Sequence, residues 1–208
     1  MQDHFLVTDT HPVGRYFTLT LMTRDIPIRS VRRVPFRMSR MQRDVLFVDI
    51  AREGGVLRVG NTHLESLPEP GVMLRPMQLG VIAGLLKEEA VGVVAGDMNA
   101  ICPEDDGIAE KVGLQDAWQT TRVEEAEDEV GNTWGYQPRC RFAPGRLDKI
   151  LFTGNVRFDE GVKRVGVGLE YEPPAGEEGL GRDGKQWVSD HYGLMVKLGV
   201  EEGKGAFD

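Results

Sequence analysis

The chain has 208 residues, 40% of them hydrophobic and 28% charged, with a formal net charge of −8. That length suffices for one domain with its own core, in proportions ordinary for a soluble globular protein. No apolar run is long enough to span a membrane, residues 1–10 lack the basic start and apolar run of a secretory signal, and the net negative charge argues against a protein that coats nucleic acid.

From the N-terminus, residues 15–22 (RYFTLTLM) alternate and are rich in aromatics, which predicts a strand. Residues 24–43 carry Arg24, Arg29, Arg32, Arg33, Arg37, Arg40 and Arg43 against one acid, Asp25. The stretch reads either as a solvated strand face or as a phosphate-facing patch. Alternation sends neighbouring strand side chains to opposite faces, so only some of these arginines can point at one ligand. Residues 44–51 (DVLFVDIA) and 56–64 (VLRVGNTHL) predict an antiparallel hairpin closed by the turn Glu53-Gly54-Gly55. After a loop with Pro68, Pro70 and Gly71, residues Leu74, Met77, Val81, Leu85 and Leu86 recur at helical spacing. They predict an amphipathic helix over 74–90, with Pro76 tolerable only in its first turn.

Residues 91–95 (VGVVA) predict a short buried strand that ends at Gly96-Asp97-Met98-Asn99. A short helix is expected over 105–112, and strands over 147–153, within 156–167 and over 193–198. The acidic stretch 121–131 and the Gly-, Pro- and Glu-rich stretch 173–184 read as surface loops of low order. Cys102 and Cys140 sit in no CxxC or Cys/His cluster, so neither a zinc site nor a disulfide framework is expected, and the expected compartment is intracellular, nuclear or cytoplasmic. With no internal repeat and no shift in composition, residues 1–208 read as a single domain. Mixed strands with few helices predict an α+β layered sandwich with mixed, mostly antiparallel sheets.

Three apolar strands border polar clusters that are poor at building a core: Asn61-Thr62-His63, Gly96-Asp97-Met98-Asn99 and Ser189-Asp190-His191. Asp148 also stands inside an apolar strand, LDKILF, where an unpaired carboxylate is costly; His191 is its natural partner. Strand ends on one sheet edge converge, so these residues can line one cleft. Taken singly they are weak signals, since an Asp often only forms a turn and a His is often a hydrogen-bonded core residue. As a set they suit hydrolysis of a phosphate ester, which needs a positioned water, a proton acceptor and neutralisation of charge on the phosphoryl oxygens. Hard carboxylate oxygens suit Mg²⁺ for that neutralisation.

The segments NTHLES (61–66), AGDMN (95–99), RLDKILF (146–152) and SDHYGL (189–194) resemble, in order and spacing, the endonuclease/exonuclease/phosphatase (DNase I-like) superfamily. HLES, Asp116-Ala117-Trp118 and Thr133-Trp134 resemble the branch of that family that cleaves 5′-tyrosyl-DNA phosphodiesters. The resemblance implies a Mg²⁺-dependent phosphodiesterase, with Mn²⁺ as a substitute, acting as a monomer on a DNA end or another phosphodiester. It implies that Asp97 deprotonates the attacking water, Asn99 holds that water or a phosphoryl oxygen, and His63 and His191 donate to the phosphate. It further implies that Asp148 orients His191, that Asp190 lies beside the metal, and that Ser66 and Trp134 contact the substrate strand. For Trp134 a place in the core is the other reading. A nuclease or small-molecule phosphatase of the same superfamily, or a catalytically dead module that binds a nucleic-acid end, are the alternatives. The chain departs from the family pattern at Gly135, where that branch has Asp, and at Leu67-Pro68, where it has a basic residue. Residues 1–14 hold no Glu and no matching Asn, so the family's first strands, which carry an Asn and the main metal-ligating Glu, are expected to be missing and turnover to be slow or absent.

Overall fold

A computed structural model describes residues 5–7, 17–122, 131–174 and 185–200; the stretches 123–130 and 175–184, which hold most of the two expected surface loops, lie outside the described residues. In chain order the strands are β1 (Phe5–Val7), β2 (Leu21–Thr23), β3 (Ile28–Pro35), β4 (Asp44–Arg52), β5 (Gly55–His63), β6 (Val91–Asp97), β7 (Gln115–Asp116), β8 (Asp148–Thr153), β9 (Val156–Phe158), β10 (Lys163–Val165), β11 (Glu170–Tyr171), β12 (Gln186–Trp187), β13 (Gly193–Met195) and β14 (Leu198–Val200). The helices are α1 (Gly71–Leu86), α2 (Ile108–Lys111) and α3 (Ala117–Thr121).

A six-stranded sheet in the order β3-β4-β5-β6-β8-β7 organises the molecule. β4 and β5 form the expected hairpin, with Val48 opposite Val59. β5 and β6 run parallel, which requires a crossover, and α1 supplies it. One face of the sheet packs Val45, Phe47, Val94 and Leu151 against Leu79, Ile82, Ala83 and Leu86 of α1. The opposite face packs Val93, Ile150 and Phe152 against Val156, Phe158, Leu194 and Leu198. Those residues belong to the short pairs β9–β14 and β10–β13, which form a partial second layer. The result is the layered α+β sandwich that the composition of elements predicts. No described helix is long and apolar enough to cross a membrane.

Several expectations need correction. Residues 17–20 form no strand, and only Leu21–Thr23 pair, with β1. Phe17, Leu19 and Leu21 are exposed, so their alternation does not mark a buried face here. The helix begins at Gly71 and ends at Leu86, and Pro76 stands beyond its first turn. Proline there removes one intrahelical bond, and packing carries the helix instead. Its buried face is also rotated from the apolar count: Arg75 and Gln78 are buried, whereas Met77 and Val81 are about half exposed. The polar pair is buried because each finds partners far along the chain. Arg75 makes a two-pronged contact with Asp105, Nε to Oδ1 at 2.8 Å and Nη2 to Oδ2 at 2.7 Å. Gln78 donates to the Glu65 carboxylate and accepts from the Glu65 N–H. The expected helix at 105–112 is a 3₁₀ turn at Pro103–Asp105 followed by α2. The expected final strand at 193–198 is split into β13 and β14.

Candidate active site

Register places the polar strand ends in one row. His63 pairs with Asp97 across the parallel β5–β6 ladder, and Asp97 pairs with Asp148 across β6–β8. Directly paired residues project from the same face of a sheet, so three polar side chains from neighbouring strands stand side by side. The next row along the same strands is Asn61, Ala95 and Ile150, and the one after is Val59, Val93 and Phe152. The second layer seals the row of Val93 and Phe152 but leaves a pocket of about 370 Å³ lined by Asn61, Ala95, Ile150 and Asp148.

The turn after β6 is built for close approach. Gly96 has φ +145°, and a Cβ there would sit 1.8 Å from the Thr62 carbonyl oxygen. Only glycine fits between β5 and β6 at that point. Asn99 takes φ 47°, a left-handed conformation that Asn tolerates better than most residues. Its N–H donates to Asp97 Oδ1 at 2.8 Å, and its side-chain Nδ2 donates to the Leu64 carbonyl at 2.9 Å. With that amide hydrogen committed, the acceptor Asn99 can offer a water is Oδ1.

His191 comes from the loop between β12 and β13. Its Nδ1 lies 2.7 Å from Asp148 Oδ2, so the pair expected from the sequence is present as a hydrogen bond. Asp190 is two-thirds exposed, and its Oδ2 lies 4.0 Å from His191 Nε2. His63 Nε2 lies 3.2 Å from Asp97 Oδ2. Burial and the charge of Asp148 push the Asp97 carboxyl up to about 6. Burial, with Arg43 and His191 nearby, pulls the His63 imidazole down to about 4. The His63–Asp97 contact is therefore a hydrogen bond of neutral imidazole to carboxylate at neutral pH, not an ion pair. His191 goes the other way. Burial opposes its charge, but the hydrogen bond and charge of Asp148, with Asp97 and Asp190, raise its pKa above the ordinary value.

Arg43 belongs to the site, and sequence reasoning did not single it out. It is buried, donates from Nη2 to Ser66 Oγ at 3.0 Å, and its charge acts on both His63 and Asp97. The turn that carries it is held by Glu65, whose carboxylate accepts from the Ser39 hydroxyl and from the N–H groups of Arg40 and Met41. Within β3, the neighbours Arg32 and Arg33 divide as alternation requires. Arg33 pairs with Asp44, and Arg32 lies near Glu88 and over the Phe47 ring. Ser66 touches the site through Arg43. Trp134 is half-buried and belongs to neither core cluster; its ring is 6.3 Å from exposed Phe142.

Donor atoms of Asp97, Asp148 and His191 lie within 4.8 Å of one another. Two facing carboxylates, one with its pKa raised by burial and by the other's charge, are a donor set that a hard divalent cation would satisfy.

The chain overlays solved structures of one fold. TDP2 from C. elegans matches with TM-score 0.69 and 20% identity, over 93% of this chain and 57% of that one. D. rerio TDP2, complexed with single strand DNA product, matches with TM-score 0.72 and 21% identity, over 96% and 78%. An endonuclease/exonuclease/phosphatase from Bacteroides vulgatus matches with TM-score 0.67 and 17% identity, over 95% and 76%. The chain thus spans little more than half of the first of these chains and about three quarters of the other two. No protein-family model matches the sequence, and no curated protein does. At this level of identity the likeness establishes the fold, which is the DNase I-like fold of the endonuclease/exonuclease/phosphatase proteins.

Proposed function

We propose that this chain, folded as the endonuclease/exonuclease/phosphatase proteins are, is a divalent-metal-dependent phosphodiester hydrolase that removes a tyrosyl or peptide adduct from a DNA 5′ end. The observation that carries the reading is the row His63, Asp97, Asp148, with His191 bonded to Asp148 at 2.7 Å. Each member has a part to play in hydrolysis. Asp97, ionised above about pH 6, takes the proton of the attacking water. Asn99 offers that water an acceptor. His191, whose charged form the bond to Asp148 favours, donates to a non-bridging phosphoryl oxygen, and His63 turns its one N–H from Asp97 to another when the phosphate binds. The Arg43 guanidinium adds fixed positive charge where negative charge develops.

Mg²⁺ or Mn²⁺ would be held at the facing carboxylates of Asp97 and Asp148, with Asp190 on the neighbouring loop as a further anionic group, and would supply further neutralisation of the phosphoryl group. With few anionic contacts on offer, the site would need the cation at about millimolar concentration. A DNA strand as substrate is supported by likeness to D. rerio TDP2, complexed with single strand DNA product. It is also supported by Trp134 and Phe142, half-buried and exposed rings with Arg141 4.9 Å over the latter, beside the SDH loop. Such surfaces suit stacked bases.

The test is purified chain with a 5′-phosphotyrosyl oligonucleotide. Tyrosine release with millimolar Mg²⁺ is expected, lost in excess chelator and restored by Mg²⁺ or Mn²⁺. The rate should climb as pH rises through about 6, because the base Asp97 is protonated below that value. Turnover unchanged by chelator would reject the metal. Preferred cleavage of internal phosphodiesters, or of small phosphate esters, would reject the tyrosyl substrate. Binding without turnover under every metal condition would reject catalysis altogether.

A further inference from the structure

The segment from Asn132 to Gln137 is bonded to both partners of the Asp148–His191 pair. Thr133, 1% exposed, accepts from the Asp148 N–H through Oγ1 at 3.0 Å and from the Tyr192 N–H through its carbonyl at 2.7 Å. Trp134 makes an isolated bridge with His191. Gln137, 3% exposed, donates from Nε2 to the carbonyls of Ser189 at 2.9 Å and His191 at 3.2 Å, with a longer contact to Gly166 at 3.4 Å. Its Oε1 accepts from the Gly168 N–H at 3.1 Å. His191 itself lies outside any strand, because β13 begins at Gly193. Within its own turn it is held by its N–H donating to Ser189 Oγ at 3.0 Å.

We propose that Gln137, helped by Thr133, is a positioning residue that sets the distance between His191 and Asp148. The inference rests on reading that pair as part of a hydrolytic site. The chemistry follows from where the bonds go. Asp148 is anchored in β8, but the loop that bears His191 needs its own anchor. A primary amide fits that place because it offers two hydrogens to two carbonyls and one oxygen to an N–H. A carboxylate there would face two carbonyl oxygens, and an apolar side chain would leave them unsatisfied in the interior. Displacing an imidazole by a fraction of an ångström is costly to a reaction that depends on alignment.

The experiment uses Gln137→Met, which keeps the volume and removes the bonds. With Mg²⁺ and bis(p-nitrophenyl) phosphate, kcat should fall about 10- to 100-fold, with KM changed by less than about twofold. In an Asp148→Asn background the same substitution should have little further effect, since its action runs through that pair. An equal loss in both backgrounds overturns the proposal, as does an unchanged kcat with lowered melting temperature. A second readout needs no turnover: the proton between His191 Nδ1 and Asp148 should give a downfield resonance that Gln137→Met broadens or removes. Persistence of that resonance unchanged overturns the proposal even where the chain hydrolyses nothing, and such lack of turnover counts against the phosphodiesterase reading alone. Should Gln137→Met fail to fold, Thr133→Val removes only the acceptor of the Asp148 N–H. The same losses are then expected, with recovery in Thr133→Ser; losses that Thr133→Ser does not repair contradict the positioning role.

Discussion

Asp97→Asn is expected to abolish turnover and to make the protein more stable. The first half follows from its role as proton acceptor, because removing a general base costs about 10²- to 10⁴-fold in rate. The second follows from its surroundings. Asp97 is held near pKa 6, against an ordinary 3.8, by burial and by the charge of Asp148. A carboxyl whose pKa is raised by folding binds more protons in the folded state. It therefore costs stability as pH rises from about 4 through about 6, and the full cost is present above that. A shift of this size corresponds to about 3 kcal/mol, as an order of magnitude. Asparagine keeps the shape without the charge. In chelator at about pH 8, Asp97→Asn should melt several degrees above the parent, and near pH 4 the two should coincide. Equal melting temperatures across that range would mean the carboxylate is not strained by its site.

Arg75→Met should be the most destabilising single change in the sheet-facing helix. Both side chains of the Arg75–Asp105 pair are 0% exposed. Removing one partner leaves a buried charge, which costs about 3–5 kcal/mol, or a fall in melting temperature of about 6–20 °C for a domain of this size. The site should feel it, because Arg75 Nη1 also holds the carbonyls of Glu65 and Leu67, and so fixes the turn that follows His63. In Arg75→Met/Asp105→Leu most of the loss should return, since an apolar pair is a fair substitute for a buried ion pair. A single-variant loss below about 1 kcal/mol, or no recovery in the double variant, would contradict the account of how α1 is anchored.

These two cases also mark what the sequence disclosed. The hairpin of β4 and β5 was legible because Gly54 and Gly55 interrupt two apolar runs. His63, Asp97, Asp148 and His191 were legible because polar residues border or interrupt apolar strands, and an Asp inside LDKILF asks for a partner. The buried face of α1 was not. Apolar periodicity favours Met77 and Val81, and cannot see that Asp105 and Glu65, distant in sequence, make Arg75 and Gln78 the residues to bury. Arg43 could not be told from its neighbouring arginines, because the choice depends on a turn held by Glu65. Gln137 carries no signal at all in the sequence, since the groups it binds are backbone atoms that any residue supplies. Residues 17–22 show the opposite fault: they belong to an alternating aromatic pattern but never join the central sheet.

The central claim is that a water held by Asp97 attacks phosphorus. It is tested most directly by cleaving a 5′-phosphotyrosyl oligonucleotide in water enriched in heavy oxygen, with Mg²⁺ present, and weighing both products by mass spectrometry. The label is expected in the released 5′ phosphate, with unlabelled tyrosine. Label in the tyrosine, or no cleavage under conditions where the chain is folded and binds the oligonucleotide, would contradict it.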